Sequence, residues 1–140
     1  MNHTATTSQT QRPPAILIAE EDLEALSDVA ENLLEVLPDV GRFLDDELTR
    51  ARVVPRRSVP RNVVTMNATV EFVLEQSAKP ERLKLVYPAD HVQDGSSISI
   101  ASPVGVALLG LKEGQSMSWP SRYGEKLSLK VVKVEAPSEK

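Results

Sequence analysis

The sequence contains no cysteine, which excludes a disulfide framework, a thiolate metal site and a cysteine nucleophile. Histidine is almost as scarce. His3 and His91 are its only two copies and lie far apart, so no histidine-rich metal cluster is expected. One Trp, two Tyr and two Phe leave few rings to line an aromatic pocket. No apolar run approaches the ~20 residues of a membrane span, and the first residues lack the basic start and apolar stretch of a secretory signal. A cytoplasmic protein without membrane contact is therefore expected. No glycine-rich loop opens a helix after a strand, so a phosphate cradle is not signalled.

What is present is unevenly distributed charge. The net charge is −4 over 140 residues, but Glu20 to Glu47 carry eleven acidic residues against the single Arg42. Arg50, Arg52, Arg56, Arg57 and Arg61 follow at once, and from Val63 onward nine cations balance nine anions. An acidic arm, a basic collar and a neutral body suggest two structural units.

Along the chain, residues 1–15 are rich in Thr, Ser and Gln, end in proline, and read as a disordered tail. Residues 16–54 read as an arm, beginning with a short extended piece at Ile16-Leu17-Ile18. Leu23, Leu26, Ala30, Leu33 and Leu37 then recur at spacings of three and four, the stripe of an amphipathic helix. Leu37-Pro38-Asp39-Val40-Gly41 breaks the pattern, and a second helix to about Val53 carries Val40, Leu44, Leu48 and Ala51 on one face with Phe43 beside them. Two helices so closely joined should fold back as an antiparallel hairpin, and at 14–16 residues each they reach only about 21–24 Å. Residues 55–61 form a proline-bounded linker holding Arg56, Arg57 and Arg61, a solvated hinge or a patch for nucleic acid or an acidic partner.

From residue 62 to 140 the period becomes two. Val64, Met66, Ala68, Val70, Phe72 and Leu74 predict one long half-buried strand, with Thr65, Asn67, Thr69 and Glu71 facing solvent. Leu83, Leu85 and Tyr87 predict another, as do Met117 with Trp119. In the last strand Leu127, Leu129 and Val131 give way to Val132 and Val134, a phase slip that predicts a bulge. Between them lies Ser102-Pro103-Val104-Gly105-Val106-Ala107-Leu108-Leu109-Gly110-Leu111. Ser102 is placed to cap a short helix, Pro103 to occupy its first position and Gly110 to end it. The fold class predicted is α+β: a helical hairpin, then an antiparallel sheet with one buried helix across a face.

Catalytic groupings are scarce. Ser102 has no base placed beside it, and His91 falls in a polar loop. Asp39 at the hairpin tip, with Asp45 and Asp46 a turn further on, is the one carboxylate group that would suit Mg²⁺ in a partner's site. Adjacent Asp45 and Asp46 diverge by about 100° around a helix, which favours a solvated face. No cofactor or metal is expected.

The runs Asn62-Val63-Val64-Thr65-Met66-Asn67, Leu85-Val86-Tyr87-Pro88-Ala89 and Ser102 to Leu111, with Leu44, Glu47, Leu48, Arg50 and Ala51 in the arm, resemble the GreA/GreB transcription factor family over about residues 16 to 135. Within it they are most similar to the short-armed Rnk type, the regulators of nucleoside diphosphate kinase. The resemblance implies an FKBP-like C-terminal domain that docks at the rim of the RNA polymerase secondary channel, and a coiled-coil arm directed into the channel. It places the polymerase contact at Ser102 and Pro103, with Val104 and Gly105 beside them. It also implies a non-enzymatic regulator that competes with other channel-binding factors without cleaving RNA; a monomer is expected, although no residue fixes the oligomeric state. The Gre acidic tip is reduced here to Asp39, although cleavage stimulation through Asp39, Asp45 and Asp46 is the alternative. A prolyl isomerase or chaperone is a third reading, which the shortage of aromatics and the assignment of Phe43 to the arm argue against. No residue argues for direct contact with nucleoside diphosphate kinase.

Overall fold

The computed structural model describes residues 14–121 and 123–137, so the tail expected over 1–15 lies almost wholly outside the described residues. Ile16 is buried and leads into strand β1 (Leu17–Ala19). Helix α1 (Glu20–Val36) follows directly, with Glu20, Glu21 and Asp22 in its first turn, where the helix dipole favours anions. Leu26, Ala30 and Leu33 are buried as the stripe requires, whereas Leu37, predicted to extend it, is 45% exposed. Leu37 alone joins α1 to helix α2 (Pro38–Arg50). The expected five-residue break is thus a single residue, because Pro38 starts the next helix, where its missing N–H costs nothing. Strand β2 (Arg52–Val54) then pairs in parallel with β1, Leu17 opposite Arg52 and Ala19 opposite Val54. β1 runs straight into α1 and β2 straight out of α2, so this pairing clips the base of the helical pair shut.

Gly41 sets the spacing of the two helices. A Cβ there would lie 2.5 Å from the Leu34 nitrogen and 2.7 Å from the Leu33 carbonyl carbon. Only a residue without a side chain permits this approach.

The remaining strands are β3 (Thr69–Leu74), β4 (Pro80–Val86), β5 (Ser97–Ser99), β6 (Ser116–Pro120) and β7 (Lys126–Glu135), and helix α3 (Pro103–Leu108) lies between β5 and β6. They form one sheet in the order β5-β4-β3-β7-β6. All pairs are antiparallel except β4–β5, which corrects the wholly antiparallel sheet predicted. The bulge is present: Glu71 pairs with Lys133 and Phe72 with Val131, leaving Val132 as the extra residue.

The long strand predicted from residue 62 is not formed. Val63 only bridges to Lys112, a turn follows with Asn67 at φ 72°, and pairing begins at Thr69. Thr65, expected to face solvent, is 8% exposed. The reason is that this segment threads against the end of α3. The Val64 N–H donates to the Leu111 carbonyl and the Gly110 N–H to the Val64 carbonyl, at 2.8 and 2.9 Å. Val63 to Met66 are buried in succession and only Asn67 is exposed, so alternation carries no strand signal there.

Leu26, Ala30, Leu33 and Leu44 of the arm share one contiguous apolar core with Val70, Phe72, Leu108 and Leu129. No helix among the described residues is long and apolar enough to cross a membrane.

Candidate functional site

The site builds from the turn before α3. Ser102 adopts extended backbone angles, and its Oγ accepts from the Gly105 N–H at 3.1 Å while donating to the Ser99 carbonyl at 2.7 Å. The Ser99 Oγ in turn accepts from the Ala101 N–H at 2.9 Å. With both roles of its hydroxyl in use, Ser102 is a cap and holds the entry to the helix in one conformation. Pro103 is exposed at the first helical position, and Ser102 and Val104 are partly exposed. Gly105 is buried, and a Cβ on it would run into the Ser99 carbonyl oxygen. Of the four predicted contact residues, Ser102, Pro103 and Val104 reach the surface and Gly105 packs beneath them.

At its far end α3 gives way to Gly110, with φ 82°. Its carbonyl accepts from the Leu17 N–H at 3.3 Å, and a Cβ there would lie 2.7 Å from that of Ile16. The turn that ends the helix is thus also the seat of β1.

The exposed start of α3 opens onto a groove of about 960 Å³ between α2 on one side and β6 with the β6–β7 turn on the other. The arm does not stand clear of the body. Phe43 of α2 stacks on Trp119 of β6, ring centroids 6.3 Å apart at 27°. Such a pair contributes about 0.5–1.5 kcal/mol beyond the area it buries. Trp119 is 4% exposed, and its Nε1–H meets no acceptor among the described residues. A buried orphan donor of this kind costs roughly 1–3 kcal/mol. Phe43 belongs to the arm as expected, but from there it helps to build an aromatic groove together with Trp119 and Tyr123. The sequence contained a hint, since Phe43 stands just off the apolar stripe of α2, on the side that meets the sheet.

Asp39 and Asp46 line this groove, with Arg42 between them in sequence; Asp45 does not. All three aspartates are exposed. The tip itself is apolar, with Val36 63% and Leu37 45% exposed. Among the described residues no group of three histidine or carboxylate side chains is placed to hold a metal ion. Glu47, missed by the periodicity, is 4% exposed and held by the Arg50 guanidinium in two bonds of 2.7 and 3.0 Å. Arg50 also donates to the Pro14 carbonyl.

The basic collar is divided by its contacts. Arg56 pairs with Asp22 at 2.9 Å, and its main-chain N–H donates to Glu21 at 2.8 Å. The bond to Asp22 raises the Arg56 pKa. Glu21 lies below the usual carboxylate range through a bond from its own main-chain N–H and the one from Arg56. Nearby Tyr87 is pushed up to about 12, by burial first and the Asp22 charge second. Arg57 and Arg61 are exposed. His91 is exposed and hydrogen-bonded to Ser97 Oγ at 3.0 Å; His3 lies outside the described residues.

Residues 59–136 match the family model described as transcription elongation factor GreA/GreB, C-term. The chain belongs to the GreA/GreB family. It is 32% identical over 126 residues to the regulator of nucleoside diphosphate kinase of Escherichia coli (strain K12), covering 90% of this chain and 93% of that one. It is also 30% identical to the transcription elongation factor GreA of Azorhizobium caulinodans, over 86% of this chain and 82% of the relative. Among solved structures, a transcription elongation factor GreA/GreB from Nitrosomonas europaea superimposes with a TM-score of 0.68 at 42% identity, covering 86% of this chain and 98% of that one.

Proposed function

We propose that the protein is a transcription regulator of the Rnk type that binds RNA polymerase at the rim of its secondary channel and competes there with other channel-binding factors. In this reading residues 62–140 are an FKBP-like docking unit and residues 16–54 a short coiled-coil arm. The observation that carries it is the start of α3. Ser102, Pro103 and Val104 are held by the Ser102 cap and presented to solvent, in the segment that the family resemblance assigns to polymerase contact. A preorganised surface loses little entropy on binding. The acidic face of the arm would steer it toward a positively charged channel mouth, an effect mainly on association rate.

A non-cleaving, non-enzymatic role is supported by the arm. At about 25 Å for the 17 residues of α1 it is short. Its apex exposes Val36 and Leu37, with Asp39 and Asp46 along the groove. The test is a pull-down of core RNA polymerase by the purified chain and by Pro103→Glu, a change at an exposed first helical position where an acid suits the helix dipole. Polymerase is expected to be retained by the unaltered chain and lost by the variant, with unchanged circular dichroism. No retention by the former, or equal retention by both, would end this reading.

A further inference from the structure

The groove beside β6 is flanked by a sheet edge whose outward main-chain groups meet no partner among the described residues. β6 is the last strand of the sheet and pairs only with β7 among the described residues. The Val131 N–H donates to the Gln115 carbonyl and the Ser121 N–H to the Glu125 carbonyl, so the odd-numbered residues of β6 face β7. The Ser128 carbonyl, opposite Ser118, accepts from the Glu75 N–H on the far side of β7 instead. Ser116 and Ser118 therefore direct their N–H and carbonyl groups away from the sheet. Both residues are exposed, while Met117 and Trp119 between and beside them face the core. Pro120, at the same phase, has no N–H to offer and closes the edge.

We infer that this edge and groove form a binding site for an extended peptide segment of another protein, which adds to the sheet as a strand beside β6. Ser116 and Ser118 supply main-chain hydrogen bonds, and alternate side chains of the incoming segment enter the groove against Phe43, Trp119 and Leu127. The groove calls for apolar residues at every second position. Its charge calls for a cation close by. Glu47 is neutralised by Arg50, and no ion pair among the described residues engages Asp39, Asp46 or Arg42, which leaves the α2 wall with one negative charge in excess. The occupant is thus a strand of alternating apolar residues flanked by lysine or arginine. A carbonyl of such a strand, reaching the indole as Phe43 shifts, would satisfy the Trp119 Nε1–H. Ser102 and Pro103 line the α3 end of the same groove, so the site adjoins the proposed polymerase contact, but it rests on the β6 edge and stands whether or not the polymerase reading does.

Trp119 is the single tryptophan of the chain, so its fluorescence reports on the groove. The experiment selects twelve-residue peptides from a random display library on the immobilised full chain, then titrates the synthetic winners against Trp119 emission. Enriched peptides should carry apolar residues at alternate positions beside Lys or Arg. Ser118→Pro removes an outward N–H at an edge position together with the hydroxyl bond to Ser128 Oγ at 2.8 Å, and should weaken binding by about tenfold or more, a loss not shared by Ser118→Ala, which lacks only the hydroxyl. Ser118→Thr, which keeps that N–H, should bind as the unaltered chain does, and Phe43→Ala should bind more weakly. No enrichment over bare support, enriched peptides without the alternating pattern, or equal affinity for a folded Ser118→Pro protein would each overturn the inference.

Discussion

A guanidinium at position 56 ties the base of the arm to the linker that leaves it. The Arg56 side chain holds Asp22, its main chain holds Glu21, and Tyr87 at the end of β4 lies within reach of both charges. With 43% of its side chain exposed, Arg56 is screened by solvent, so its value lies more in orientation than in energy. Glu21 is the member whose titration can be followed. Its pKa is lower in the folded chain than the ordinary 4.5, so its contribution is complete above that value and is lost as pH falls through the lower, folded one. Glu21→Gln should therefore lower stability modestly at neutral pH, converge with the unaltered chain at low pH, and so flatten the acid limb below about pH 4.5. Urea midpoints at a series of pH values check this. Arg56 was legible in the sequence as a cation in a collar, but not as the arm's own partner, because Asp22 stands 34 residues away.

At the scale of elements, the close approach at Gly41 is the tightest constraint on the helical pair. Gly41→Ala gains helix propensity, yet its Cβ would overlap main chain at Leu33 and Leu34, which cannot rotate aside. A net loss of about 1–3 kcal/mol is expected, read from the urea midpoint. A neutral result would mean that the helices separate freely. The helices, the cap at Ser102, the turn at Gly110 and the bulge at Val132 were all readable, because each depends on neighbours in sequence. What was not readable depends on distant chain. Nothing in Ile16-Leu17-Ile18 names Val53 as a partner, and Ser97–Ser99 contains nothing that selects parallel over antiparallel pairing with β4. The alternation from Val64 to Ala68 misled because Thr65 is buried along with the even members Val64, Met66 and Ala68, and of its odd members only Asn67 is exposed. The candidate site was half visible: Ser102 and Pro103 from their capping pattern, Phe43 and Trp119 only once the arm lay on the sheet.

For the whole molecule, the shared core and the Phe43–Trp119 stack make arm and body one cooperative unit despite their contrasting charge. Trp119 emission reports the groove, and far-UV circular dichroism is dominated by the arm helices. The two signals should give superimposable urea transitions. An earlier loss of helix than of Trp119 signal would show that the arm melts alone. The closed ends of the arm also have an evolutionary consequence. Its base is clipped by β1 against β2 and its apex turned by one leucine, and neither closure depends on how many helical turns lie between. Seven residues inserted into both helices would carry the apex outward by about 10 Å while keeping the same faces together. The arm behaves as a telescoping rod, its length open to natural selection by paired insertion while the clip at its foot stays as it is.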